Sequence, residues 1–211
     1  MSFSPGAWSL YLCTPIRKDL VEFVTACVVG GVGIVQLRDK DHDDRDLLHA
    51  AEQLASSCRT LGVPFIVNDR CDVALAVGAD GVHVGQDDLP VRRCRELLGD
   101  GGIVGLSTHA PRELDAGLAE PVSYLSAGPV EATPTKPGRP GTGVGYAASA
   151  AERSPVPVYV TGGVTTATIP GLVTAGLRHF VVVRALTEAA DPCGAARALA
   201  DAVRGAIAAA H

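Results

Sequence analysis

The sequence predicts an α/β fold, a single-domain (β/α)8 TIM barrel, and three observations lead to this prediction. Eight short runs rich in Val, Ile and Leu alternate with helix-like segments along the 211 residues. Each strand–helix unit takes about 25 residues, and eight such units suit a closed barrel of parallel strands. No linker and no shift in composition divides the chain, so residues 1–211 are expected to form one domain. A doubly wound open sheet is the alternative, but eight units are many for that fold at this length.

The predicted strands are nearly continuous apolar runs, as expected for parallel strands that are covered on both faces. In chain order they are Trp8–Cys13, Gly33–Leu37, Pro64–Val67, Gly81–Val84, Ile103–Leu106, Tyr124–Ala127, Val156–Val160 and His179–Val183. Hydrophobic residues make up 47% of the chain but aromatic residues only 4%. Val, Ala and Leu must therefore fill most of the core.

The segments between the strands have the pattern of helices that end at glycine or in a polar turn. They are Asp19–Val29, Asp44–Leu61, Cys71–Val77, Pro90–Leu98, Pro111–Leu118, Val144–Glu152, Thr168–Ala175 and Cys193–Ala210. Gly62, Gly78 and Gly176 follow three of them, and glycine is the residue that most readily takes the left-handed conformation of a helix C-cap.

Composition excludes several classes of function. The net charge of −5 argues against nucleic acid as a partner, because such proteins usually present a basic face. No apolar run is long enough to span a membrane, and the N-terminus lacks the pattern of a signal peptide. The six cysteines form no C-x-x-C pair or zinc-site spacing, which favours buried thiols in a reducing compartment. We therefore expect a cytoplasmic protein with neither nucleic acid nor membrane as partner; a homo-oligomer stays open.

Polar residues of chemical interest cluster just after the predicted strands, where barrels build their active sites. Gln36, Arg38 and Lys40 alternate along VQLRDK, so on an extended strand they would share one face. Cations are costly to remove from water unless something negative meets them, and the sequence has no nearby block of acids large enough to do so. This face therefore predicts a site for an anion, most simply a phosphate or a diphosphate.

Two carboxylates follow adjacent predicted strands and suggest a metal site. Asp69 follows strand three next to Asn68, and Asp88 follows strand four. Mg²⁺ prefers oxygen ligands and keeps water or substrate phosphate in its remaining positions. The alternative is that both aspartates are helix N-caps, which are common at such junctions. His83 lies within strand four, where an interior histidine with satisfied hydrogen bonds is expected.

Three further segments carry groups that suit a second anion. Thr133, Thr135 and Lys136 lie in the long Gly- and Pro-rich loop 128–143, which reads either as a binding loop or as a flexible surface loop. Gly163 follows strand seven, and strand eight ends at Val183 and Arg184. Barrels often bind phosphate with the loops after these two strands.

Eight motifs together resemble the thiamine-phosphate synthase family. In family order they are YLCTP, VQLRDK, VNDR, DGVHVGQDDLP, GLSTH, GPVEATPTKPGRPGTG, TGGVT and VVVRALTEAADP, from Tyr11 to about Pro192. The resemblance implies a (β/α)8 barrel and a transferase. Such an enzyme joins 4-amino-2-methyl-5-(diphosphooxymethyl)pyrimidine to a thiazole phosphate, which gives thiamine monophosphate and diphosphate. It also implies Mg²⁺ as cofactor and a dissociative displacement, in which diphosphate leaves before the thiazole nitrogen attacks.

The resemblance also implies roles for single residues. The residues implied for the pyrimidine diphosphate are Gln36, Arg38, Lys40, Asn68, Ser107 and Lys136, those for the thiazole phosphate are Thr133, Thr135, Gly163, Val183 and Arg184, and those for Mg²⁺ are Asp69 and Asp88. Arg38, Lys40 and Lys136 are the implied catalytic residues, because their charge can stabilise the leaving diphosphate.

A few positions depart from the commoner family pattern. Pro15 stands where aspartate is frequent, and Glu131 and Ala132 replace an apolar residue and a proline; we expect these changes only to reshape the rim. Arg184 replaces a small residue, and either its side chain or only its backbone serves the phosphate. Two other functions stay open at this point. One is a thiazole tautomerase of similar barrel fold, and the other is a phosphate-ligand sensor without catalysis.

Overall fold

Eight parallel strands close into a barrel in the computed structural model, which describes residues 8–132 and 140–210. The strands are β1 (Leu10–Thr14), β2 (Ile34–Leu37), β3 (Phe65–Asn68), β4 (Gly81–Val84), β5 (Ile103–Thr108), β6 (Tyr124–Ala127), β7 (Val158–Val160) and β8 (His179–Val182). Each pairs with the next in sequence, and β8 returns to β1. Leu12 of β1 closes the ring, since it lies opposite Val35 on one side and Val182 on the other. The predicted fold class is confirmed, and the open sheet is wrong.

Helices follow the strands and cover the outside of the barrel. Within the described residues they are α1 (Leu20–Val29), α2 (Asp44–Leu61), α3 (Cys71–Val77), α4 (Val91–Leu98), α5 (Pro111–Leu118), α6 (Val144–Arg153), α7 (Ile169–Thr174), α8 (Arg184–Thr187) and α9 (Pro192–Ala209). Helix α2 shows why these segments start and stop where they do. The Asp43 side chain accepts hydrogen bonds from the first-turn amides of Arg45 and Asp46, and Gly62 ends the helix with φ of 71°.

Several predicted boundaries were wrong by one or two residues. β1 begins at Leu10 instead of Trp8 and runs on to Thr14. β7 begins only at Val158, because Pro157 has no N–H to donate to the sheet. The polar Ser107 ends the apolar run of β5, yet the strand continues to Thr108 through pairing with β6. Ser107 therefore projects from the strand itself rather than from the loop after it.

Helix α8 was not predicted at all. Its four residues directly follow β8 and start at Arg184, which the sequence had suggested would simply end the strand. Such a short helix has no room for the apolar periodicity by which longer helices are recognised.

Inward-facing residues fill the barrel as a layer separate from the main core. This interior layer consists of Tyr11, Ile34, Ile66, Ile103, Tyr124 and Tyr159. The three tyrosine rings meet edge to face, with centroids 5.3–5.8 Å apart. A Cβ at Gly105 would lie 2.1 Å from Cζ of Tyr124, so β5 needs glycine where this ring crosses it. The aromatic layer closes the barrel from within and forms a floor for the carboxyl ends of the strands.

No helix in the described parts of the chain combines the length and the apolar character that crossing a membrane requires.

Candidate active site

Two adjoining cavities open at the carboxyl ends of the strands. One has a volume of about 330 Å³ and lies over the barrel interior; the other, of about 450 Å³, lies towards β3 and β4. Arg38, Asn68, His83 and Ser107 line both cavities. The first cavity also contacts the predicted residues Gln36, Gly163, Val183 and Arg184, and the second contacts Lys40, Asp69 and Asp88. The described site residues predicted from the sequence thus converge on one end of the barrel.

Lys40 does not extend the strand face that its spacing had suggested. β2 ends at Leu37, and the Asp39 carboxylate turns the chain by accepting hydrogen bonds from the amides of Asp41 and His42. Lys40 therefore lies in the turn, where its Nζ is 3.0 Å from Oδ2 of Asp69. The negative partner that the sequence seemed to lack comes from the neighbouring strand, a contact that sequence distance conceals.

Asp69 and Asp88 form an acidic pair whose negative charge is only partly neutralised by Lys40. Burial raises the pKa of Asp69; the nearby Asp88 raises it further, and Lys40 opposes both effects. Asp69 is also the one non-glycine residue in the described chain with positive φ, at 61°. Such a backbone conformation is uncommon outside glycine and often marks a functional position.

The alternative role of the two aspartates as helix caps is wrong. The residues before α3 and α4 are Arg70 and Pro90, and neither helix receives a side-chain cap. Asp88 instead accepts a hydrogen bond from the amide of Gly85 at 2.8 Å. Asp69 in turn contacts Lys40 and the Asp88 carboxyl group.

The acidic pair fits Mg²⁺ better than a metal ion that is coordinated entirely by protein side chains. The described residues contain no group of three or more His, Cys, Asp or Glu side chains that could enclose a metal ion. Mg²⁺ is typically held by one or two carboxylates and fills its other positions with water and substrate phosphate. The crowded charge of Asp69 and Asp88 beside an open cavity is suited to an ion of that kind.

Glycine forms the other end of the first cavity. Gly162 and Gly163 have φ of 85° and 73°, a conformation that disfavours other residues and leaves their backbone bare. Arg184 is exposed at the start of α8 and contacts the same cavity. Thr133, Thr135 and Lys136, which were predicted to complete the anion contacts, lie outside the described residues.

Glu131 does more than reshape the rim. Its carboxylate lies against Gly163, where a Cβ would come within 2.6 Å of Oε2. A carboxylate here opposes an anion by charge, so a phosphate at Gly163 requires the Glu131 side chain to turn away.

Sequence reasoning missed the buried polar groups below the site. Gln36 donates to the Tyr11 hydroxyl, which bonds to that of Tyr124, and Tyr124 in turn contacts His83. The other ring nitrogen of His83 bonds to Ser107, so the interior histidine is satisfied as predicted. Strand alternation could have placed Tyr11 and Tyr124 inside the barrel, but it gives no sign that their hydroxyls meet.

The cysteines agree with the predicted structural role. All six lie within the described residues and none forms a disulfide there, and only Cys193 is not buried. Burial raises the pKa of the Cys27, Cys58 and Cys94 thiols to about 12, which keeps them protonated and unreactive.

Comparison with known proteins points to one family. The family model described as thiamine monophosphate synthase matches residues 10–186. The chain is 49% identical over 196 residues to a thiamine-phosphate synthase of Thermobifida fusca, with 90% of this chain and 89% of the relative covered. It is 45% identical over 208 residues to a thiamine-phosphate synthase of Mycobacterium sp. (strain JLS), with 92% of each chain covered.

A solved structure supports the same relationship. The thiamine phosphate pyrophosphorylase of Pyrococcus furiosus superposes with a TM-score of 0.85 and 28% sequence identity, over 96% of this chain and 98% of that one.

Proposed function

The chain belongs to the thiamine monophosphate synthase family and is a transferase, and from this premise we propose that it condenses the aminopyrimidine diphosphate with a thiazole phosphate. The products would be thiamine monophosphate and diphosphate. The observation that carries the proposal is the convergence of Arg38, Lys40, Asp69 and Asp88 on one cavity at the carboxyl ends of the strands. A diphosphate with a bound metal ion needs cations for its phosphate oxygens and carboxylates for the metal. This cavity offers both, side by side.

The diphosphate of the pyrimidine substrate would lie in the second cavity. Arg38 and Lys40 line this cavity on the β2 side. Lys136 would reach the diphosphate from the loop after β6. Asp69 and Asp88 would hold Mg²⁺, whose charge, when bound, offsets the negative charge of the leaving group. The Lys40–Asp69 ion pair supports this arrangement, because Asp69 positions the Lys40 ammonium at the rim of the cavity.

The pyrimidine ring would lie in the first cavity, whose lining includes Tyr11 and Tyr124. Gln36, Asn68 and Ser107 line this cavity and offer the polar contacts. Gly163, Val183 and Arg184 lie at its other end and would hold the thiazole phosphate with Thr133 and Thr135. The two substrates would then meet above the ring of strands, with the thiazole nitrogen facing the methylene carbon.

The displacement is proposed to be dissociative. The bond between the methylene carbon and the diphosphate oxygen breaks first, and its electron pair leaves with the diphosphate. The thiazole nitrogen then donates its lone pair to the resulting pyrimidine methylene cation, so no proton has to be removed for bond formation. Arg38, Lys40 and Lys136 contribute by stabilising the departing charge.

A product assay tests the proposal directly. We expect the wild-type protein, given both substrates and Mg²⁺, to release thiamine monophosphate and diphosphate in equal amounts. Arg38→Ala and Lys136→Ala should each lower turnover by about 10²-fold or more, the usual scale for loss of a charge that stabilises a transition state. Arg204→Ala removes an exposed arginine of α9 that pairs with Asp201, and should leave the rate unchanged.

The same assay separates the alternative functions. A tautomerase would interconvert thiazole isomers and release no diphosphate. A sensor would bind phosphorylated ligands without Mg²⁺ dependence and form no product. Wild-type turnover in Arg38→Ala would also contradict the proposed catalytic role of the anion site.

A further inference from the structure

A continuous chain of buried hydrogen bonds runs under the site from Gln36 to Ser107. Gln36 Nε2 donates to the Tyr11 hydroxyl at 2.7 Å, and the hydroxyls of Tyr11 and Tyr124 are 2.8 Å apart. The Tyr124 hydroxyl is 2.9 Å from Nδ1 of His83, whose Nε2 is 2.8 Å from Oγ of Ser107. Every member is at most 7% exposed. All five side chains line the cavity, with Gln36 and Ser107 at the two ends of the hydrogen-bonded chain.

One assignment of the protons gives every tyrosine hydroxyl in this chain an acceptor. Burial raises the pKa of both tyrosines, so each hydroxyl keeps its single proton at neutral pH. Tyr11 accepts a hydrogen bond from Gln36. If it also accepted from Tyr124, its own buried proton would have no acceptor in this chain, so we assign that proton to the contact with Tyr124. Tyr124 then directs its proton to Nδ1 of His83, which must be an unprotonated acceptor. In this assignment His83 is neutral, with its proton on Nε2.

The two ends of the chain acquire a fixed polarity. Oγ of Ser107 accepts from Nε2 of His83 and also from Ser126 at 3.4 Å, so its own proton is available to the cavity. At the other end, the Cys13 thiol donates to Oε1 of Gln36 at 3.3 Å, which fixes the orientation of the amide. One Nε2 hydrogen and one Oε1 lone pair of Gln36 remain for a ligand.

We propose that Tyr11 and Tyr124 are positioning residues that make Ser107 a hydrogen-bond donor and Gln36 an oriented donor–acceptor pair for the aminopyrimidine ring. The proposal rests on the proposed function for the identity of the ligand. An aminopyrimidine has ring nitrogens that accept hydrogen bonds and an exocyclic amine that donates them. A fixed set of partners then matches one orientation of the ring and turns the methylene carbon towards the thiazole.

Nitrogen-15 NMR of the His83 ring tests the proton order without reference to activity. We expect the wild-type ring to be the neutral Nε2–H tautomer. Tyr124→Phe removes the donor to Nδ1 and should produce a mixture of tautomers, whereas Tyr11→Phe leaves that donor in place and should preserve the Nε2–H form. A wild-type ring protonated on Nδ1 would overturn the proposal.

Tyr159→Phe is the matched control. Tyr159 lies in the same aromatic layer, but its hydroxyl donates to the backbone carbonyl of Trp8 at 2.8 Å and takes no part in the chain. This variant also loses one buried hydrogen bond, so it reports what a purely structural defect does. The His83 tautomer and the KM values should stay as in the wild type. A change equal to that of Tyr124→Phe would assign the effect to stability alone and overturn the proposal.

Steady-state kinetics tests the link to the substrate. Tyr11→Phe and Tyr124→Phe should each raise KM for the pyrimidine diphosphate about tenfold, the cost of one hydrogen bond, with KM for the thiazole phosphate unchanged. In a Ser107→Ala background, Tyr124→Phe should add no further loss, because it acts through Ser107. Additive losses, or equal changes in both KM values, would contradict the positioning role. An inactive wild type with the Nε2–H tautomer would refute the synthase function and still support the proton order.

Discussion

The acidic pair of Asp69 and Asp88 combines charge repulsion with an unfavourable backbone conformation. Within the described residues, the two carboxylates share a half-buried edge, and Lys40 is the ammonium that contacts them. Asp69 also adopts a left-handed backbone conformation, which a β-branched or bulky side chain would resist. Strain and repulsion of this kind persist in proteins where binding needs them.

Replacement of Asp69 by asparagine should relieve the repulsion and the cost of burying this charge. The folded-state pKa of Asp69 is raised, so its ionisation destabilises the fold as the pH rises above the ordinary aspartate range. Without Mg²⁺, we expect Asp69→Asn to melt higher than the wild type at pH 7, with about 2–4 °C for each kcal/mol recovered. The gain should vanish below pH 4, where the wild-type Asp69 carboxyl is protonated in both the folded and the unfolded protein. Asparagine tolerates the left-handed conformation, so the backbone remains compatible.

Added Mg²⁺ should reverse that order. The ion binds the folded wild type and raises its melting temperature, whereas Asp69→Asn should gain little. Thermal unfolding of both proteins, once with EDTA and once with Mg²⁺, measures both effects. If Asp69→Asn melts lower at pH 7 and responds to Mg²⁺ as the wild type does, then Asp69 is a structural residue and no metal ligand.

Glu131 should limit the affinity for the thiazole phosphate. Its carboxylate lies against Gly163, at the end of the cavity proposed for that phosphate. Glu131→Gln keeps the shape and removes the charge, so KM for the thiazole phosphate should fall about two- to fivefold, the scale of a partly screened charge at a surface. KM for the pyrimidine diphosphate should not change. An unchanged or increased KM for the thiazole phosphate would show that Glu131 does not oppose the anion.

At the level of elements, the turn between β2 and α2 is organised by one carboxylate. Asp39 is 4% exposed and accepts from the amides of Ile16, Asp41 and His42 and from the His42 ring. Burial by itself would raise the pKa of Asp39, but these hydrogen bonds outweigh it and lower the pKa to about 2. The turn presents Lys40, so Asp39 connects the stability of the loop to the site.

Asp39→Asn should lower stability in a pH-dependent way. A depressed folded-state pKa stabilises the protein above the ordinary aspartate pKa, and this contribution is lost as the pH falls towards 2. We expect a loss of up to about 2 kcal/mol at pH 6, which shrinks below pH 4. Urea unfolding of both proteins at pH 6, 4 and 3 measures the difference. A difference that does not change with pH would show that packing, not charge, matters at Asp39.

Strands β5 and β6 depend on one glycine for their spacing. Gly105 leaves room for the Tyr124 ring, and an added methyl group would meet it at 2.1 Å. We expect Gly105→Ala to destabilise the protein by about 1–3 kcal/mol or more, as overpacking does in a rigid core. Gly205→Ala, in an exposed turn of α9 with open space around its Cα, should be neutral or stabilising. Equal stability of the two variants would show that the interior layer is loosely packed.

The sequence predicted the elements well and their ends less well. Apolar runs located all eight strands, because strands covered on both faces contain little else. Ser107 was placed beyond β5, since its hydroxyl breaks the apolar run although its backbone pairs with β6. Helix α8 was not predicted because four residues are too few to show the apolar periodicity of a helix.

At the scale of the whole molecule, the closed barrel explains why predicted site residues from distant parts of the sequence meet. Strand order follows chain order around the ring, so Arg38, Asp69 and Asp88 lie on neighbouring strand ends. The lateral contacts were beyond prediction. The Lys40–Asp69 pair and the hydroxyl contact of Tyr11 with Tyr124 depend on side-chain directions that only the folded barrel defines.

The central proposal is that this end of the barrel binds a diphosphate together with Mg²⁺. Calorimetric titration of the protein with the pyrimidine diphosphate, once with Mg²⁺ and once with EDTA, tests it most directly. We predict that removal of the metal weakens binding by about tenfold or more, since Asp69 and Asp88 then repel the diphosphate that they would otherwise help to bind. Equal affinity under both conditions would contradict the proposal.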